Sequence, residues 1–448
     1  MERGEVPGGV YLPAERTLAV RLAVSRTTVT RAYQQLREVG LVNARQGRGT
    51  VVVGSDHDRR FSEFTGEIYS RVLTDDDADV IDLTSACQAA GPRLRGLIAQ
   101  LIDLDSAIIG HGYRPAGLPG LRSVIAEQFS GRGLPTEADQ IVVTTGAQQA
   151  IGLLGAVLGR DGSTVLTEQF TFPGALDALR TSGLRPVAVA MDHHGIRPDE
   201  LADAVAEHRP SLIYLTPSFN NPTGVELPTH RRRLVTAIAA DRGIPVIDDA
   251  TLELLSQGRV ALPALAEIGP SSNVVTVGSL SKAAWGGLRV GWIRADRAVA
   301  ERLVRAKAVT DIGSPILNQH IVIPVVRDIE ALAAEISARV RRTHELVAAT
   351  FAELLPDWQC PLPHGGLCCW VNAPGVDVDA LSQVAQRHGV IITPGSMFSP
   401  SAAPTPHLRL PLIHAPDTMR QAVARIADAV RHLRDSTSDL STRAAVGR

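Results

Sequence analysis

Between residues 141 and 294 the chain repeats one pattern, a short and nearly unbroken apolar run rich in β-branched residues followed by a helical stretch. The runs are IVVTT, STVLTE, RPVAVA, SLIYLTP, IPVIDD, NVVTVGS and LRVGWI. Runs without polar alternation predict strands buried on both faces, and helices between them predict an α/β sheet. Such a sheet takes its ligand at the carboxyl ends of its strands. The polar residues at those ends are Thr145–Gln148, Glu168–Phe172, Pro217–Gly224, Asp248–Thr251 and Ser279–Lys282.

Composition sharpens this reading at one point. Of the 45 basic residues, 43 are Arg and two, Lys282 and Lys307, are Lys. Arg stays protonated, whereas a Lys amine can lose its proton and attack a carbonyl, so a retained Lys is a candidate for chemistry that Arg cannot perform. Lys282 sits in Ser279–Leu280–Ser281–Lys282, ahead of Gly286–Gly287–Leu288–Arg289. Two hydroxyls, an amine and a guanidinium at a strand end suit a phosphate ester held beside an aldehyde. Ser279, Ser281 and Arg289 would take the phosphate and Lys282 would form an imine. Gly146–Ala147–Gln148 opens a helix after a strand, and its free amides suit the same phosphate. Asp248 and Asp249 end an apolar strand, where a carboxylate could hold a protonated pyridine nitrogen. Asn220–Asn221–Pro222–Thr223–Gly224 reads as a turn whose Asn amide could reach a phenolate oxygen. Phe172 could stack on a planar ring.

The first 54 residues differ in charge from the rest. They hold eight Arg against four Glu and no Asp, a net +4 in a chain whose total is −2, which leaves −6 for the remainder. A basic head on a mildly acidic body points to a nucleic-acid partner for the head. The spacing predicts a short helix near 14–22, with Leu18, Ala19 and Leu22 on one face. A second helix, capped by Ser25, should run to about Val39, stop at Gly40, and be followed by two strands, LVNAR and GTVVV. Arg26, Thr27, Thr28 and Arg31 on the second helix suit phosphate and base-edge contacts, and Arg45 and Arg48 in the wing suit the phosphate backbone.

These head residues, about 12–53, resemble the winged helix-turn-helix of GntR-type bacterial regulators. MERGEVPGGVY is too short and Gly-rich for the helix that usually precedes this segment, so a truncated first helix is expected. From Tyr113 to Arg409 the ordered motifs are similar to fold-type-I pyridoxal-phosphate enzymes of the class I/II aminotransferase group, with a large α/β domain and a smaller C-terminal α+β subdomain. The resemblance implies an internal aldimine between Lys282 and pyridoxal 5′-phosphate, with Asn221 on the phenolic oxygen and Phe172 on the ring. It further implies Ser279, Ser281, Arg289, Ala147 and Gln148 as phosphate cradle and Asp248 or, by preference, Asp249 at the pyridine nitrogen. Tyr113 resembles the Tyr that reaches the phosphate in a neighbouring subunit, which implies a homodimer. Arg409 resembles the clamp on an amino acid's α-carboxylate. Two departures stand out. Thr251 occupies the place of the Tyr in D-x-x-Y, which weakens the expectation of fast transamination, and Gly286–Gly287 replaces Pro-Gly, which should loosen the loop.

A GntR-type head on such a body is the architecture of MocR-type transcription regulators. The expected organisation is a head over 1–54, a linker over 55–80 with the acidic run Asp75–Asp76–Asp77, a cofactor-binding body over 81–435 and a disordered tail over 436–448. The expected function is a DNA-binding regulator that senses a small amine, an amino acid or pyridoxal phosphate itself. A working aminotransferase with a vestigial head is the alternative. No basic-then-apolar leader opens the chain, and the apolar uncharged stretch 141–159 carries four polar side chains and four Gly. A cytoplasmic protein with no membrane span is therefore expected. The four Cys show no metal-ligand spacing, so reduced core thiols and no metal are expected.

Overall fold

The structure, a computed structural model, describes residues 11–45, 49–52, 79–99, 111–269 and 273–446. In the head, α1 (Glu15–Arg21) and α2 (Arg26–Glu38) are followed by the antiparallel pair β1 (Val42–Arg45) and β2 (Gly49–Val52). Ser25 caps α2, its hydroxyl accepting from Thr28 N at 3.0 Å, and Gly40 follows at φ +75°. Ala19, Val29 and Tyr33 form a small core with Leu12, Leu18, Val24 and Leu36. Leu22, expected on the core face, is instead the C-cap of α1. Its carbonyl accepts from Arg387 of the body, and Arg21 forms a 3.0 Å ion pair with Asp377. The expected truncation of the first helix falls on residues 1–10, and most of the linker on 53–78, both outside the described residues.

The body opens with β3 (Ile81–Asp82), α3 (Pro92–Ala99) and α4 (Pro119–Gly131). The sheet follows, with β4 (Ile141–Thr144), α5 (Ala147–Leu158), β5 (Thr164–Glu168), α6 (Pro173–Thr181) and β6 (Arg185–Val189). After a small hairpin of β7 (Met191–Asp192) and β8 (Gly195–Ile196) come α7 (Pro198–His208), β9 (Leu212–Leu215), α8 (Thr229–Asp241), β10 (Val246–Asp249), β11 (Val274–Ser279) and β12 (Gly291–Arg294). The seven strands of the large sheet lie in the order β4-β12-β11-β10-β9-β5-β6, with β12 antiparallel to both neighbours and the other pairs parallel. All seven predicted strands are present. Six are wholly buried, while β6 is the partly exposed edge.

Side chains alternate between the two faces of a strand. Val142, Val165, Tyr214, Ile247, Val275 and Ile293 pack on one face with α5, α6 and α9 (Arg297–Thr310). Val143, Leu166, Ile213, Val246, Val274 and Trp292 pack on the other with α4 and with α10 (Ile316–Arg327). This is a three-layer α/β/α body, and the same alternation decides where each site residue points.

The 26-residue α11 (Ile329–Leu354) leads into the smaller C-terminal unit. There β13 (Cys368–Asn372), β16 (His407–Pro411) and β15 (Thr393–Pro394) make an antiparallel sheet, packed with α12 (Val378–Arg387) and α13 (Pro416–Val446). Strand β3 pairs in parallel with β14 (Val390–Ile391), which fastens the start of the body to this unit and draws Thr84–Gln88 across the sheet ends. One expectation is corrected here. Residues 436–446, expected to be a disordered tail, continue α13 as helix. Extending an existing helix adds a hydrogen bond per residue without the cost of a new nucleus. No helix among the described residues is long and apolar enough to cross a membrane.

Candidate functional site

At the carboxyl ends of β10 and β11 lies a cavity of about 350 Å³ lined by Cys87, Ala147, Gln148, Phe172, Thr216, Asn221, Asp249, Thr251, Leu252, Ser279, Ser281, Lys282 and Arg289. Nearly every cofactor-site residue expected from the sequence is in this wall. A larger cavity of about 560 Å³ lies elsewhere, between Phe129, Ser256 and Arg341. It contains none of the expected residues, and the smaller one is the better site because amine, carboxylate, amide, hydroxyls and guanidinium converge there.

The two lysines have separate fates. Lys307 is 1% exposed and bound at 2.6 Å to Asp311 and at 3.2 Å to Gln149 Oε1, a structural ion pair. Lys282 forms no salt bridge among the described residues. Its Nζ donates to the Ala86 carbonyl at 3.0 Å and lies 3.5 Å from Cys87 Sγ. The Lys282 charge draws the Cys87 thiol pKa down. The Ala86–Gln88 segment was not singled out from the sequence. It is held by Gln88, which donates to the Lys282 carbonyl at 2.9 Å and the Ala284 carbonyl at 3.3 Å.

Strand parity separates the two aspartates. Asp249 shares a face with Ile247 and lines the cavity, whereas Asp248 is on the Val246 face and feels the buried Arg232. Asp249 is fixed by three donors. Tyr214 Oη gives to its Oδ2 at 2.6 Å, and Thr251 gives to Oδ1 from its amide at 3.1 Å and from its hydroxyl. Thr251 thus supports Asp249 in the structure. Burial raises the pKa of Asp249, moves Asp248 to about 7, and moves Glu168, whose carboxylate accepts from Thr216 N at 2.9 Å, to about 8. Tyr214 was missed at the sequence level. The available signal was its hydroxyl in a strand buried on both faces, which requires a partner.

The asparagine pair also divides its work. Asn220 builds the turn, accepting from Thr223 N at 3.2 Å and Thr223 Oγ1 at 2.8 Å and donating to the Phe170 carbonyl at 3.1 Å. Asn221 Oδ1 is buried without a hydrogen-bond partner, at the wall of the cavity. Such a group calls for a partner from water or a ligand.

The anion end is built from main chain and glycine. Gly146, at φ +102°, caps α5 with no side-chain cap, so the first-turn amides at Ala147 and Gln148 stay available. The Gln148 side chain itself is committed, donating to the Gly174 carbonyl at 2.6 Å. Arg289, at φ +50°, holds the Thr145 carbonyl at 2.6 Å, and a Cβ on Gly146 would stand 3.3 Å from its guanidinium. Ser279 Oγ bonds Ser281 Oγ at 3.1 Å. Residues Ser281–Trp285 form a π-helical turn that carries Lys282. At Gly286, which stands where the pattern has Pro, a Cβ would meet only Cys87 Sγ at 3.8 Å, so the position is open. Gly287, the glycine shared with the pattern, is required by packing. A Cβ there would meet the Trp285 ring at 2.3 Å, so glycine lets that ring pack down.

Besides Asp248, two further expected residues are outside the wall. Tyr113 is 61% exposed. Arg409 is buried beside the cavity, donating to the Thr84 carbonyl and lying 5.1 Å over the Phe398 ring, with its Nε unpartnered. In the head, Ser25, Arg26, Thr27, Thr28 and Arg31 form an exposed stripe opposite the buried Val29 and Tyr33. Arg48 and the Arg45 side chain lie outside the described residues.

Comparison with known proteins agrees with both halves. Residues 93–426 match the family model described as aminotransferase class I and II, and residues 1–52 match that of bacterial regulatory proteins of the gntR family. The uncharacterised HTH-type transcriptional regulator YdfD of Bacillus subtilis is 26% identical over 88% of this chain and 87% of its own. A 2-aminoadipate transaminase of Thermus thermophilus is 32% identical over 67% of this chain and 74% of its own. The solved α-aminoadipate aminotransferase LysN from Thermus thermophilus, complexed with N-(5′-phosphopyridoxyl)-L-leucine, superposes with a TM-score of 0.75 at 26% identity, over 84% of this chain and 97% of that one.

Proposed function

Because the chain belongs to the class I and II aminotransferase family and carries a gntR-family helix-turn-helix head, we propose that it is a transcription regulator whose body holds pyridoxal 5′-phosphate and reads a small amine or amino acid. The organisation is a DNA-binding head over 1–54, a linker over 55–80 and a cofactor-binding body over 81–435. The observation that carries the reading is the meeting in one cavity of a Lys282 amine with no salt bridge among the described residues, a face-selected Asp249 and the Asn221 side chain with its unpartnered oxygen.

The residues fit the cofactor in number and kind. Lys282 would hold it covalently, and Asp249, kept in place by Tyr214 and Thr251, would face the pyridine nitrogen. Asn221 would donate its amide N–H to the phenolic oxygen and Phe172 would cover the ring. The phosphate would take Ser279, Ser281, Arg289 and the first-turn amides of α5. Bound pyridoxal phosphate supplies an electrophilic carbon that an incoming amine can capture. Arg409 would orient the carboxylate of an amino-acid effector, with the Phe398 face fixing its guanidinium. Exposed Tyr113 would complete the site of a second copy in a homodimer. Two heads would then meet two half-sites, with Ser25, Arg26, Thr27, Thr28, Arg31, Arg45 and Arg48 toward DNA.

Thr251 argues against the enzymatic alternative, because its hydroxyl is spent on Asp249. Titration with pyridoxal phosphate, followed by visible absorbance, tests the body, and a gel shift with the DNA upstream of the gene tests the head. Rapid turnover of amino acids without any gel shift would favour the aminotransferase instead.

A further inference from the structure

His344, Cys360 and Cys369 lie outside the cofactor cavity, where α11 passes the segment leading to β13. Gln359 and Asn372 exchange backbone hydrogen bonds of 3.0 and 2.9 Å, which sets the Cys360 segment against β13. Cys360 Sγ and Cys369 Sγ are 3.0 Å apart. Cys369 Sγ also lies 3.2 Å from the Pro361 carbonyl, and His344 Nε2 lies 3.0 Å from the Cys360 carbonyl. Cys369 is buried, Cys360 is half-buried and His344 is 6% exposed. The three donor atoms fall within 4.8 Å of one another.

We propose that Cys360 and Cys369 are a redox-active dithiol which a hydroperoxide converts to a disulfide, with Cys360 the attacking and Cys369 the resolving sulfur. The separation suits this pairing better than a metal site. Two thiolates on a tetrahedral zinc ion, each about 2.3 Å from it, stand about 3.8 Å apart, so metal entry would have to push these sulfurs away from each other. A disulfide needs them to approach to about 2.05 Å. In addition, His344 Nε2 faces a carbonyl and is therefore the N–H of the ring, not a free lone pair.

The division of labour follows from position. Cys360 is the half-buried member of the pair and Cys369 the buried one. Hydrogen bonding from Cys369 and His344 brings the Cys360 thiol pKa down to about 6, while burial holds that of Cys369 well up. In the first step the Cys360 thiolate attacks one peroxide oxygen, an S–O bond forms, the O–O bond breaks, and hydroxide leaves and is protonated to water. In the second, Cys369 attacks the Cys360 sulfur, the S–S bond forms, the S–O bond breaks, and hydroxide leaves with the thiol proton as a second water. Two thiols lose two electrons and one peroxide gains them.

Cys368 supplies an internal control. It alternates to the other face of β13, toward a second, much smaller cavity that Lys282 and Asn221 also line. The full-length chain, reduced and then treated with hydrogen peroxide, should lose the mass of two hydrogens. Cleavage after Leu367, following alkylation, should leave the Cys360 and Cys369 peptides joined until reductant is added. Cys368→Ser should retain the crosslink and Cys369→Ser should lose it. A crosslink through Cys368 or Cys87, a Cys360 that proceeds to sulfinic acid while Cys369 remains alkylatable, or a chelator-removable zinc ion that blocks alkylation of both thiols would each overturn the proposal. In the unsubstituted chain, fragmentation of the crosslinked peptide locates the alkylated cysteine at 368 or at 369, which decides the matter even where a variant fails to fold.

Discussion

Tyr214 Oη donates a 2.6 Å hydrogen bond to Asp249 Oδ2, and the two side chains are buried on the same face of the central sheet. The relation comes from register. Tyr214 is the partner of Ile247, and Asp249 follows Ile247 by one full alternation. The phenol thus fixes a carboxylate that burial alone would push toward its neutral form. Tyr214→Phe keeps the ring and removes the donor, leaving a buried oxygen short of one partner at a cost of about 1–3 kcal/mol. The expected result is a lower urea midpoint together with weaker pyridoxal phosphate binding. Unchanged cofactor affinity would mean that Asp249 does not depend on Tyr214 for its placement.

The lysine pair offers a crossed experiment. Lys282→Ala should abolish the visible absorption of the bound cofactor and leave unfolding nearly unchanged, because Lys282 forms no salt bridge among the described residues. Lys307→Ala should do the reverse. It strips Asp311 and Gln149 of their buried cation. The loss is about 3 kcal/mol for a broken ion pair, at the low end of that range because Asp311 retains some solvent. Measuring absorbance and denaturant midpoint on both variants checks the assignment, and equal effects on both readouts would contradict it.

Much of this arrangement was legible in the residues. The seven apolar runs located the seven strands, and their polar ends located the cavity, because a strand buried on both faces shows its chemistry where it stops. Lys scarcity nominated two residues, but only packing could separate them, since an ion pair between residues 307 and 311 leaves no more trace in composition than a free amine does. The Asp248 and Asp249 ambiguity was one of parity, and parity needs a known partner face. Tyr214 and Ala86–Gln88 escaped notice for a different reason. Their contacts to Asp249 and Lys282 span 35 and nearly 200 residues, and local spacing carries no information over that range. The helical tail was misjudged because its polar residues are poor nuclei yet adequate extensions of a helix already formed.

Buried carboxylates make stability fall as pH rises. Glu168 ionises near 4.5 in an open chain and at about 8 in the fold, chiefly because burial penalises the charge. Between those values the folded state binds a proton that the unfolded state has released, so the stabilisation present below pH 4.5 drains away up to about pH 8. The slope is roughly 1.4 kcal/mol per pH unit for one such group. Asp248 adds to it over a window that closes near 7. Glu168→Gln keeps an acceptor for the Thr216 amide and removes the titration. Urea midpoints of the cofactor-free protein across about pH 5 to 8 should flatten in this variant, and an identical pH profile would show that Glu168 is ionised in the fold.

DNA binding by the head should follow the exposed stripe of α2. Arg26 is 73% exposed along its side chain, and its Glu15 partner stands 3.8 Å away. Such a surface pair is worth at most about 1 kcal/mol. Arg26 is therefore free to exchange that carboxylate for a phosphate, as is the exposed Arg31. The threonines differ from each other. Thr28 Oγ1 lies 2.7 Å from Ser25 Oγ within the cap, so Thr28→Ala should weaken the start of α2 as well as any contact beyond it, whereas Thr27 Oγ1 lies 3.4 Å away and is the freer hydroxyl. Arg26→Ala and Arg31→Ala should each lower affinity for all sequences alike and reduce the slope of log affinity against log salt by about 0.9, the contribution of one released counterion. Equilibrium binding measured over a salt series tests this. A slope unchanged in both variants would place the phosphate contacts elsewhere, on the wing.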